Sequence, residues 1–352
     1  MSDGNTRRNQ KRKKASTRYK VRYDRIVAAV LVIAAVSVVG SSLVSGLTKK
    51  VSPEPSEIVQ TTTTQIPSQS TIVDNLAPKD ENAAGIIQTK PTEKTTEVSQ
   101  YSSEVHSNDD IYKGDLVLIN SEHAYKFFED DVILTTLFDH IDTNCYNVCD
   151  LVTKLDGKVI DQLNALMKGF IEQGNENDIT VIGGYRTLEE QNDKYNSGQS
   201  RFQGGCNDYH SARTFDIGIF PKDSSSSGYY SSVGNYSWID ENAADFGFIV
   251  RFPEGKDDIT HELARTYTFR YVGIPHAVYI KQNDLCLEEY INLLKNHNSS
   301  SPLEITVGNE LYNVYYVPAA AGSSTEVPVP TGKTYSISGD NAGGFIVSAL
   351  MN

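Results

Sequence analysis

The chain has 352 residues, a length that predicts about two domains, and a formal net charge of −13. The formal net charge of residues 1–25 alone is +8, so that of the rest of the chain is −21. Because phosphate contacts need positive charge, this acidic body argues against nucleic-acid binding. The composition also excludes a collagen, a coiled coil and, with only four Cys, a protein built on a disulfide framework.

A membrane anchor is predicted near the start of the chain. Residues 26–48 are 23 consecutive uncharged residues, mostly Val, Ala, Leu and Ile, and a helix of that length crosses the roughly 30 Å hydrocarbon layer. The basic excess precedes this segment, so the positive-inside rule places residues 1–25 in the cytoplasm as a basic leader and the rest outside the plasma membrane. The alternative is a cleaved signal peptide, but the leader is long for one and no Ala-x-Ala site follows.

The predicted anchor is followed by a linker over residues 49–108. This stretch is rich in Ser, Thr and Pro and holds few aromatic residues. Such a composition cannot bury enough apolar surface to offset the entropy of ordering. We therefore expect a disordered tether that holds a folded body away from the membrane.

The main folded domain is predicted over residues 109–298. Apolar residues recur at helical spacing over 156–173 and again over 285–295. Residues 179–182 and 214–220 have the composition of buried strands. Helices and strands without a regular βαβ alternation favour an α+β fold.

The last part of the chain, residues 301–352, has a different pattern. A segment of about 50 residues has a core of marginal stability on its own, so we expect residues 301–352 to pack on the main domain. We predict a small all-β appendage. Its strand candidates are separated by turn residues and cover 303–307, 312–317, 325–329, 335–338 and 345–347.

Three segments of the main domain carry the chemistry. The first is Gly-Gly-Tyr-Arg-Thr at 183–187, and the second covers 208–218. The third runs over 238–256 and continues to Phe-Arg-Tyr-Val-Gly at 269–273. On these residues the chain resembles the VanY-type D-alanyl-D-alanine carboxypeptidases, which are zinc-dependent LAS metallopeptidases of bacterial cell walls. The resemblance covers about residues 111–297.

The resemblance implies a LAS or hedgehog-type fold with a small antiparallel sheet. It also implies a zinc ion held by two His and one Asp, and a Glu that acts as general base on the metal-bound water. An Arg after a Gly-Tyr pair would bind the polarised carbonyl or the substrate carboxylate. Arg186 holds this position, so the resemblance makes it the candidate catalytic residue. The implied substrate is the D-Ala end of peptidoglycan stem peptides.

Most motif positions of the metal site are substituted in this chain. The family's first motif is Ser-x-His-x-x-Gly-x-Ala-x-Asp, and anchoring it without a gap on Asp216 places Tyr209 at its His and Ala212 at its Gly. The second motif is Glu-x-Trp-His followed by Phe-Arg-Tyr-Val-Gly, and anchoring it on 269–273 places Arg265 at the base and Thr268 at the second His. Zinc prefers His, Cys or carboxylate ligands, so neutral hydroxyls are poor substitutes. An Arg cannot accept a proton and would repel the metal. Tyr209, Arg265 and Thr268 are therefore degenerate family positions, and Asp216 is the retained metal ligand.

A rebuilt zinc site is the alternative. His210 and Asp216 would be metal ligands after a one-residue slip, and His261 and Glu262 lie near the second motif. In a strand, however, a one-residue shift turns a side chain to the opposite face. His261 also lies seven residues before Thr268, too far to replace it without a rebuilt loop. Otherwise His210 is a loop histidine and Asp216 accepts hydrogen bonds at a strand end.

Substrate binding is predicted for four polar residues around the expected cleft. Arg186, Gln191, Arg265 and Arg270 would line it, and planar guanidinium groups suit a carboxylate. The alternative is that these arginines form surface or framework ion pairs.

The cysteines leave two interpretations open. Cys145 and Cys149 are four residues apart, a spacing that permits a disulfide outside the cell. A cysteine zinc pair is disfavoured, because Cys206 and Cys286 are isolated from each other and no second pair exists.

The sequence therefore predicts a membrane-anchored, extracellular carboxypeptidase-like protein that acts on or binds peptidoglycan stem peptides. Its catalysis is expected to be impaired by the substituted ligands, and zinc is expected only if the site is active. Two alternatives stay open. One is an active zinc carboxypeptidase with relocated ligands, and the other is a cell-wall scaffold that binds a protein partner through residues 301–352.

Overall fold

The structure, a computed structural model, describes residues 100–222 and 227–352. The predicted leader, the predicted membrane span and most of the predicted linker lie outside these residues and stay predictions. Within the described residues, no helix is long and apolar enough to cross a membrane.

The described part of the chain contains strands, α-helices and short 3-10 turns. The strands are β1 (Tyr101–Ser107), β2 (Leu134–Thr136), β3 (Asn147–Val148), β4 (Lys154–Asp156), β5 (Ile179–Gly183), β6 (Thr214–Ile219), β7 (Gly228–Tyr229), β8 (Phe248–Phe252), β9 (Arg265–Tyr271), β10 (Leu303–Val307), β11 (Glu310–Pro318), β12 (Ser324–Pro330), β13 (Thr334–Gly339) and β14 (Gly344–Leu350). The α-helices are α1 (Gly157–Glu172), α2 (Leu188–Asn196), α3 (Ser237–Asn242), α4 (Asp257–Thr260), α5 (Ile274–Gln282) and α6 (Leu287–Leu294). The 3-10 turns are Asn108–Tyr112, Leu137–Asp139, Asp208–Ser211, Gly234–Tyr236 and Ala243–Phe246.

The main domain is built around a sheet with strand order β3-β5-β6-β9-β8, and β7 pairs with β6. Only the short β3–β5 pair of this sheet is parallel. Across β6 and β9, Asp216 lies opposite Thr268 and Phe215 lies opposite Phe269. Because successive side chains of a strand point to opposite faces, the two phenylalanines enter the core and the two polar residues face the other way. This register places the candidate site on one face of the sheet.

Helix α1 covers the apolar face of this sheet. Its N-terminus is capped by the Asp156 side chain, which accepts a hydrogen bond from the Lys158 backbone N–H. The apolar spacing predicts a helix over 156–173, and the observed bounds confirm it to within one residue at each end. The side chains that α1 buries are Val159, Ile160, Leu163, Leu166, Met167 and Phe170.

The C-terminal strands form a second sheet with order β10-β11-β14-β13. Each of the five predicted strand candidates is a strand in the structure. The inner face of this sheet contributes Ile305, Val314 and Ile346 to one apolar cluster, which also contains Ala277 of α5 and Leu287 of α6. The sheet therefore completes its core with helices of the main domain, as its small size predicts.

A buried histidine adds a polar link between the same elements. Nδ1 of His276 in α5 lies 2.7 Å from the Tyr290 hydroxyl of α6, and its Nε2 lies 2.8 Å from the Ser348 hydroxyl of β14. Burial lowers the pKa of His276 to about 4, so the ring is neutral at pH 7. Removal of residues 301–352 would break this link and expose the shared core.

The predicted boundary of the linker is wrong at its C-terminal end. Residues 101–107, assigned to the linker by composition, form β1, which pairs antiparallel with β12 from Tyr101↔Pro330 to Ser107↔Ser324. β1 holds mostly polar side chains, and backbone hydrogen bonds to β12 stabilise it. Composition alone cannot reveal such a strand, because the pairing partner lies more than 200 residues away.

All four cysteines are free thiols, so the disulfide that the spacing permits is not formed. The Cys145 thiol donates to Asp142 at 3.4 Å and the Cys149 thiol to Asp150 at 3.5 Å. Burial raises the pKa of Cys145 to about 11 and that of Cys149 to about 12, which keeps both thiols protonated.

Candidate functional site

The first motif is folded as a tight turn that leads into β6. Asn207 caps the 3-10 turn by accepting a hydrogen bond from the Tyr209 backbone N–H at 3.2 Å. The turn ends at Ala212, whose φ of 56° lies in the left-handed region that favours glycine. The family motif has Gly at this position. The backbone conformation therefore supports the alignment of the first motif without a gap, which places Tyr209 at the first His.

Tyr209, Asp216 and Thr268 converge on one point, and we call them the Tyr–Asp–Thr cluster. The Tyr209 hydroxyl and the Thr268 hydroxyl each donate to Oδ1 of Asp216 at 2.7 Å. Tyr209 and Thr268 are almost fully buried, and Asp216 is 9% exposed. The three positions that hold the metal in the family are thus joined here by hydrogen bonds.

The Tyr209 phenol is held in its protonated form. Burial raises its pKa, and the negative charge of Asp216 raises it further, whereas the positive charges of Arg265 and Arg186 act in the opposite direction. The net pKa lies well above the ordinary value for tyrosine. Tyr209 is therefore a hydrogen-bond donor to Asp216 at neutral pH and not an anionic ligand.

Arg186 covers the outer side of this cluster. Its guanidinium carbon lies 4.1 Å from the centroid of the Tyr209 ring, within the range of a cation–π contact. Its Nη1 donates to Oε1 of Gln191 at 3.3 Å. Among the described residues, no carboxylate forms an ion pair with Arg186, and the side chain is half-buried. This is the geometry of a cation that can still accept an anionic ligand.

Gln191 does not face a ligand, which corrects the prediction that it binds substrate. The side chain is fully buried, and its Nε2 donates to the Ser200 hydroxyl and to the Phe202 carbonyl at 2.8 and 2.7 Å. Its remaining oxygen accepts from Arg186. Gln191 therefore contacts the Arg186 side chain from the buried side.

Arg265 lies at the start of β9, on the other approach to the cluster. Its guanidinium carbon lies 4.5 Å from the centroid of the Phe252 ring, and its Nη2 lies 3.5 Å from Oε2 of Glu262. Burial alone would lower its pKa, but the negative charges of Asp216 and Glu262 raise it, so the guanidinium stays positive. Its Nε is buried and has no hydrogen-bond partner among the described residues.

His210 is not a metal ligand, which corrects the rebuilt-site hypothesis. Its Nε2 accepts from the Gly205 backbone N–H at 3.0 Å, so its Nδ1 carries the proton and donates to the Arg186 carbonyl at 2.7 Å. Burial lowers its pKa, although the hydrogen bond to Arg186 acts to raise it. Both ring nitrogens are used to hold the motif loops together.

The other members of the rebuilt site also have partners other than Asp216. The His261 side chain is 47% exposed and lies 3.9 Å from the Glu122 carboxylate. Glu262 pairs with arginines. Within residues 100–222 and 227–352, no group of three His, Cys, Asp or Glu side chains could hold a metal ion.

The residues of the cluster do not fit the zinc ion that the family implies. Asp216 is its one carboxylate, and the Oδ1 of this carboxylate already accepts two hydroxyl protons. Tyr209 and Thr268 offer neutral hydroxyls, which are poor zinc ligands. The positive charge of Arg265 acts on Asp216 from nearby and would oppose a cation at the same point.

Arg270 is a framework residue, which corrects the prediction that it lines the cleft. It has no exposed surface, and its Nη1 donates to Oδ1 of Asp208 at 2.8 Å. Its Nη2 donates to the Asp115 and Val117 carbonyls at 3.0 and 3.1 Å. Asp208 also accepts from the Thr214 hydroxyl. The framework alternative therefore applies to Arg270, although its partners are brought together only by the tertiary fold.

The comparisons with known proteins point to the same family as the motifs. Residues 152–274 match the family model described as VanY, D-alanyl-D-alanine carboxypeptidase. These matches define a VanY-type domain over residues 152–274, as the motifs predict, and over this part the chain is similar to the VanY-type D-alanyl-D-alanine carboxypeptidases. The α+β fold of LAS type is likewise confirmed.

Two relatives and one solved structure illustrate the similarity. A D-alanyl-D-alanine carboxypeptidase of Enterococcus faecium is 28% identical over 248 residues, which cover 69% of this chain and 78% of that protein. One from Enterococcus faecalis (strain ATCC 700802 / V583) is 34% identical over 136 residues, covering 33% of this chain and 48% of that protein. The vancomycin resistance D,D-dipeptidase VanXYg, solved with a D-Ala-D-Ala phosphinate analog, aligns with a TM-score of 0.61 at 24% identity, over 71% of this chain and 99% of its own. This last similarity concerns the fold and extends beyond residues 152–274.

Proposed function

We propose that this chain is a membrane-anchored protein of the bacterial cell surface whose VanY-type domain binds the D-Ala end of peptidoglycan stem peptides without hydrolysing them. The observation that carries the proposal is the Tyr–Asp–Thr cluster, in which two hydroxyls and one carboxylate occupy the three family ligand positions. The relatives described as D-alanyl-D-alanine carboxypeptidases support the choice of ligand.

Hydrolysis by the family route needs three metal ligands, an open coordination position and a general base. Asp216 is the one family ligand retained, and Arg265 at the base position cannot accept a proton. A relocated site would have to use His210, whose two nitrogens are both hydrogen-bonded. The donor set therefore favours binding over cleavage.

Binding needs an exposed group that recognises the peptide terminus. Arg186 keeps the family position for this role, and its guanidinium has no carboxylate partner among the described residues. A guanidinium can donate two parallel hydrogen bonds to a carboxylate, which gives geometric specificity. The free carboxylate of the terminal D-Ala is the group that we expect Arg186 to contact.

The membrane part of the proposal rests on the sequence of residues 1–48. The +8 leader followed by 23 uncharged residues supports an uncleaved anchor with the VanY-type domain outside the plasma membrane. Deletion of residues 1–48 is expected to move the protein from the membrane fraction to the soluble fraction of lysed cells. A full-length protein that stays in the soluble fraction would contradict the anchor.

The central experiment uses the full-length protein in detergent micelles. Zinc content is measured by mass spectrometry, D-Ala release is followed with a stem pentapeptide that ends in D-Ala-D-Ala, and binding of the same peptide is measured by calorimetry. We expect binding, substoichiometric zinc and no D-Ala release. Near one equivalent of zinc together with D-Ala release would instead support the active carboxypeptidase.

A reconstructed variant provides the matched control. Tyr209→His, Arg265→Glu and Thr268→His together restore the family residues at the substituted positions. Because Asp216 already lies between the first and third of these positions, the triple variant is expected to gain about one zinc per chain. A triple variant that folds and stays free of zinc would show that more than the ligand types has changed.

The scaffold hypothesis for residues 301–352 stays a separate proposal. Deletion of these residues would expose the core that they share with α5 and α6, so it is not a clean test. Surface substitutions on the exposed β10 residues Glu304 and Thr306 keep the core intact, and partner capture should respond to them if this sheet is the binding surface.

A further inference from the structure

Arg265 is poorly satisfied for a largely buried cation. Its Nε lies buried without a hydrogen-bond partner among the described residues. Its contact to Glu262 spans 3.5 Å, which is long for a charge-assisted hydrogen bond. A buried donor of a charged group that has no partner is destabilising, so such a group gains from a hydrogen bond to a ligand.

Glu262, in contrast, is well held by other groups. Its Oε1 accepts from Nη2 of Arg201 at 2.5 Å and from the Leu263 backbone N–H at 3.0 Å. Only its Oε2 approaches Arg265. Arg201 is 61% exposed, so it can follow the carboxylate as it moves. Glu262 can therefore release Arg265 and still keep two of its partners.

The two guanidinium groups of Arg186 and Arg265 act on the same place. The Arg186 guanidinium carbon lies 4.1 Å from the centroid of the Tyr209 ring, and the positive charge of Arg265 acts on the same side chain. With Glu262 on Arg265, the charges of Arg186, Arg265, Asp216 and Glu262 cancel. If Glu262 leaves Arg265 and keeps only its pair with Arg201, the charges of Arg186, Arg265 and Asp216 leave a net positive charge beside the cluster, and one ligand carboxylate would neutralise it.

We propose that Glu262 is an internal carboxylate that occupies Arg265 in the free protein, and that the terminal carboxylate of a bound peptide displaces it. The ligand carboxylate would then lie between Arg265 and Arg186, and Glu262 would keep its pair with Arg201. Arg265, at the position of the family's general base, thus becomes a ligand-binding residue. This inference rests on the proposed function, because it names the groups that hold the peptide terminus.

Removal of the internal competitor gives the main test. Full-length protein in detergent micelles is titrated by calorimetry with diacetyl-Lys-D-Ala-D-Ala and with its C-terminal amide. Glu262→Gln is expected to tighten binding of the acid about fivefold, whereas Arg265→Gln weakens it about tenfold or more. The amide lacks the charge that competes with Glu262, so its weak binding should not respond to Glu262→Gln. Glu254→Gln, at an exposed site that forms no ion pair with another described residue, is the matched control and should change neither affinity.

A second variant separates exchange from a structural role. Arg201→Gln removes the partner that holds the Glu262 carboxylate once it has left Arg265. It should therefore weaken binding of the acid about threefold in the native background and have no effect on binding in the Glu262→Gln background. A merely structural Glu262 would give weaker binding when it is replaced, together with additive effects. Melting temperatures confirm that each variant is folded.

The outcomes distinguish the two proposals. Binding of the acid by the native chain with unchanged or weaker binding by Glu262→Gln overturns the exchange and leaves the proposed function standing. No binding of the acid by the native chain and by every variant overturns the proposed function and the exchange together. Tightening in Glu262→Gln with coupling to Arg201 supports both.

Discussion

Five arginines of the VanY-type domain fall into two groups that differ in how their charges are satisfied. Arg213, Arg251 and Arg270 have almost no exposed surface, and each has carboxylate partners close by. Arg186 and Arg265 are half-buried, and neither has a carboxylate within normal hydrogen-bond distance among the described residues. The partners of the first group are Asp115, Asp131 and Asp156 for Arg213, Glu288 and Asp208 for Arg251, and Asp208 for Arg270.

The difference follows from the energy of desolvation. A charge that loses all contact with water must be paired, because the penalty is several kcal/mol even after relaxation. A half-buried charge keeps some hydration and can remain partly unpaired. The buried arginines thus stabilise the fold, and the incompletely paired arginines lie where a ligand can bind. The substitutions below test this division, from the largest expected effect to the smallest.

Asp208→Asn should have the largest effect on stability. Asp208 is buried and lies 2.8 Å from Nη1 of Arg270 and 3.4 Å from Nε of Arg251, and these charges hold its pKa below the ordinary value although burial opposes them. Loss of its charge leaves two buried guanidinium groups undercompensated, at a cost of about 3–5 kcal/mol. Urea denaturation measures this, with the exposed Asp245→Asn as control. A loss of less than about 1 kcal/mol in the free energy of unfolding would contradict the view that the buried, paired arginines stabilise the fold.

Acidification should destabilise the chain through the buried His276, whose ring is neutral at pH 7. The pKa of His276 is lowered to about 4, whereas an unfolded His titrates near 6.5. The unfolded state therefore binds more protons between these values, and stability falls as the pH drops from about 6.5 towards 4, by about 3 kcal/mol in total. Urea denaturation across this range should show a shallower dependence for His276→Asn. Parallel curves for the two proteins would contradict this role of His276.

Tyr209→Phe tests the hydrogen bonds of the cluster. It removes one of the two donors to Oδ1 of Asp216 and should cost about 1–2 kcal/mol. Thr268→Val removes the other donor. Because both act on the same oxygen, the double variant should deviate from the sum of the single ones, which denaturation of all four proteins will measure. Strict additivity would mean that the two hydroxyls do not share Asp216 in solution.

Arg186→Gln should have the smallest effect on stability and a large effect on binding. Its contact with the Tyr209 ring is a half-exposed cation–π interaction, worth less than about 1 kcal/mol. Binding of the acid peptide should fall about tenfold or more, because a charge-assisted pair is lost. A variant as unstable as Asp208→Asn would place Arg186 with the framework arginines.

The sequence predicted those features that depend on spacing within one strand or helix. The positions of Tyr209, Asp216 and Thr268 follow from the spacing of the family motifs that the chain resembles, and in the structure Asp216 lies opposite Thr268 on paired strands. The bounds of α1 and the C-terminal strands followed from periodicity.

The predictions that were wrong depend on contacts between distant parts of the chain. Arg270 shares a strand with Thr268, but its burial is decided by Asp208 and by carbonyls more than 150 residues away. Gln191 and His210 were assigned to the ligand side because they lie beside the motifs, yet both use their polar atoms on neighbouring loops. A polar residue near a motif cannot be assigned to solvent or to the framework until its partners are known.

The pairing of β1 with β12 has a mechanical consequence. Any pull transmitted along the chain from the residues before Tyr101 enters the fold at the first pair of this ribbon, Tyr101 opposite Pro330. Tyr101 is also held by its side chain, because its hydroxyl donates to the Ser299 carbonyl at 2.9 Å and its ring packs edge-on against Tyr315. A pulling force would therefore be resisted at Tyr101 itself, through its contacts to Ser299 and to Tyr315 of β11. These contacts lie far in sequence from the Tyr–Asp–Thr cluster and its arginines.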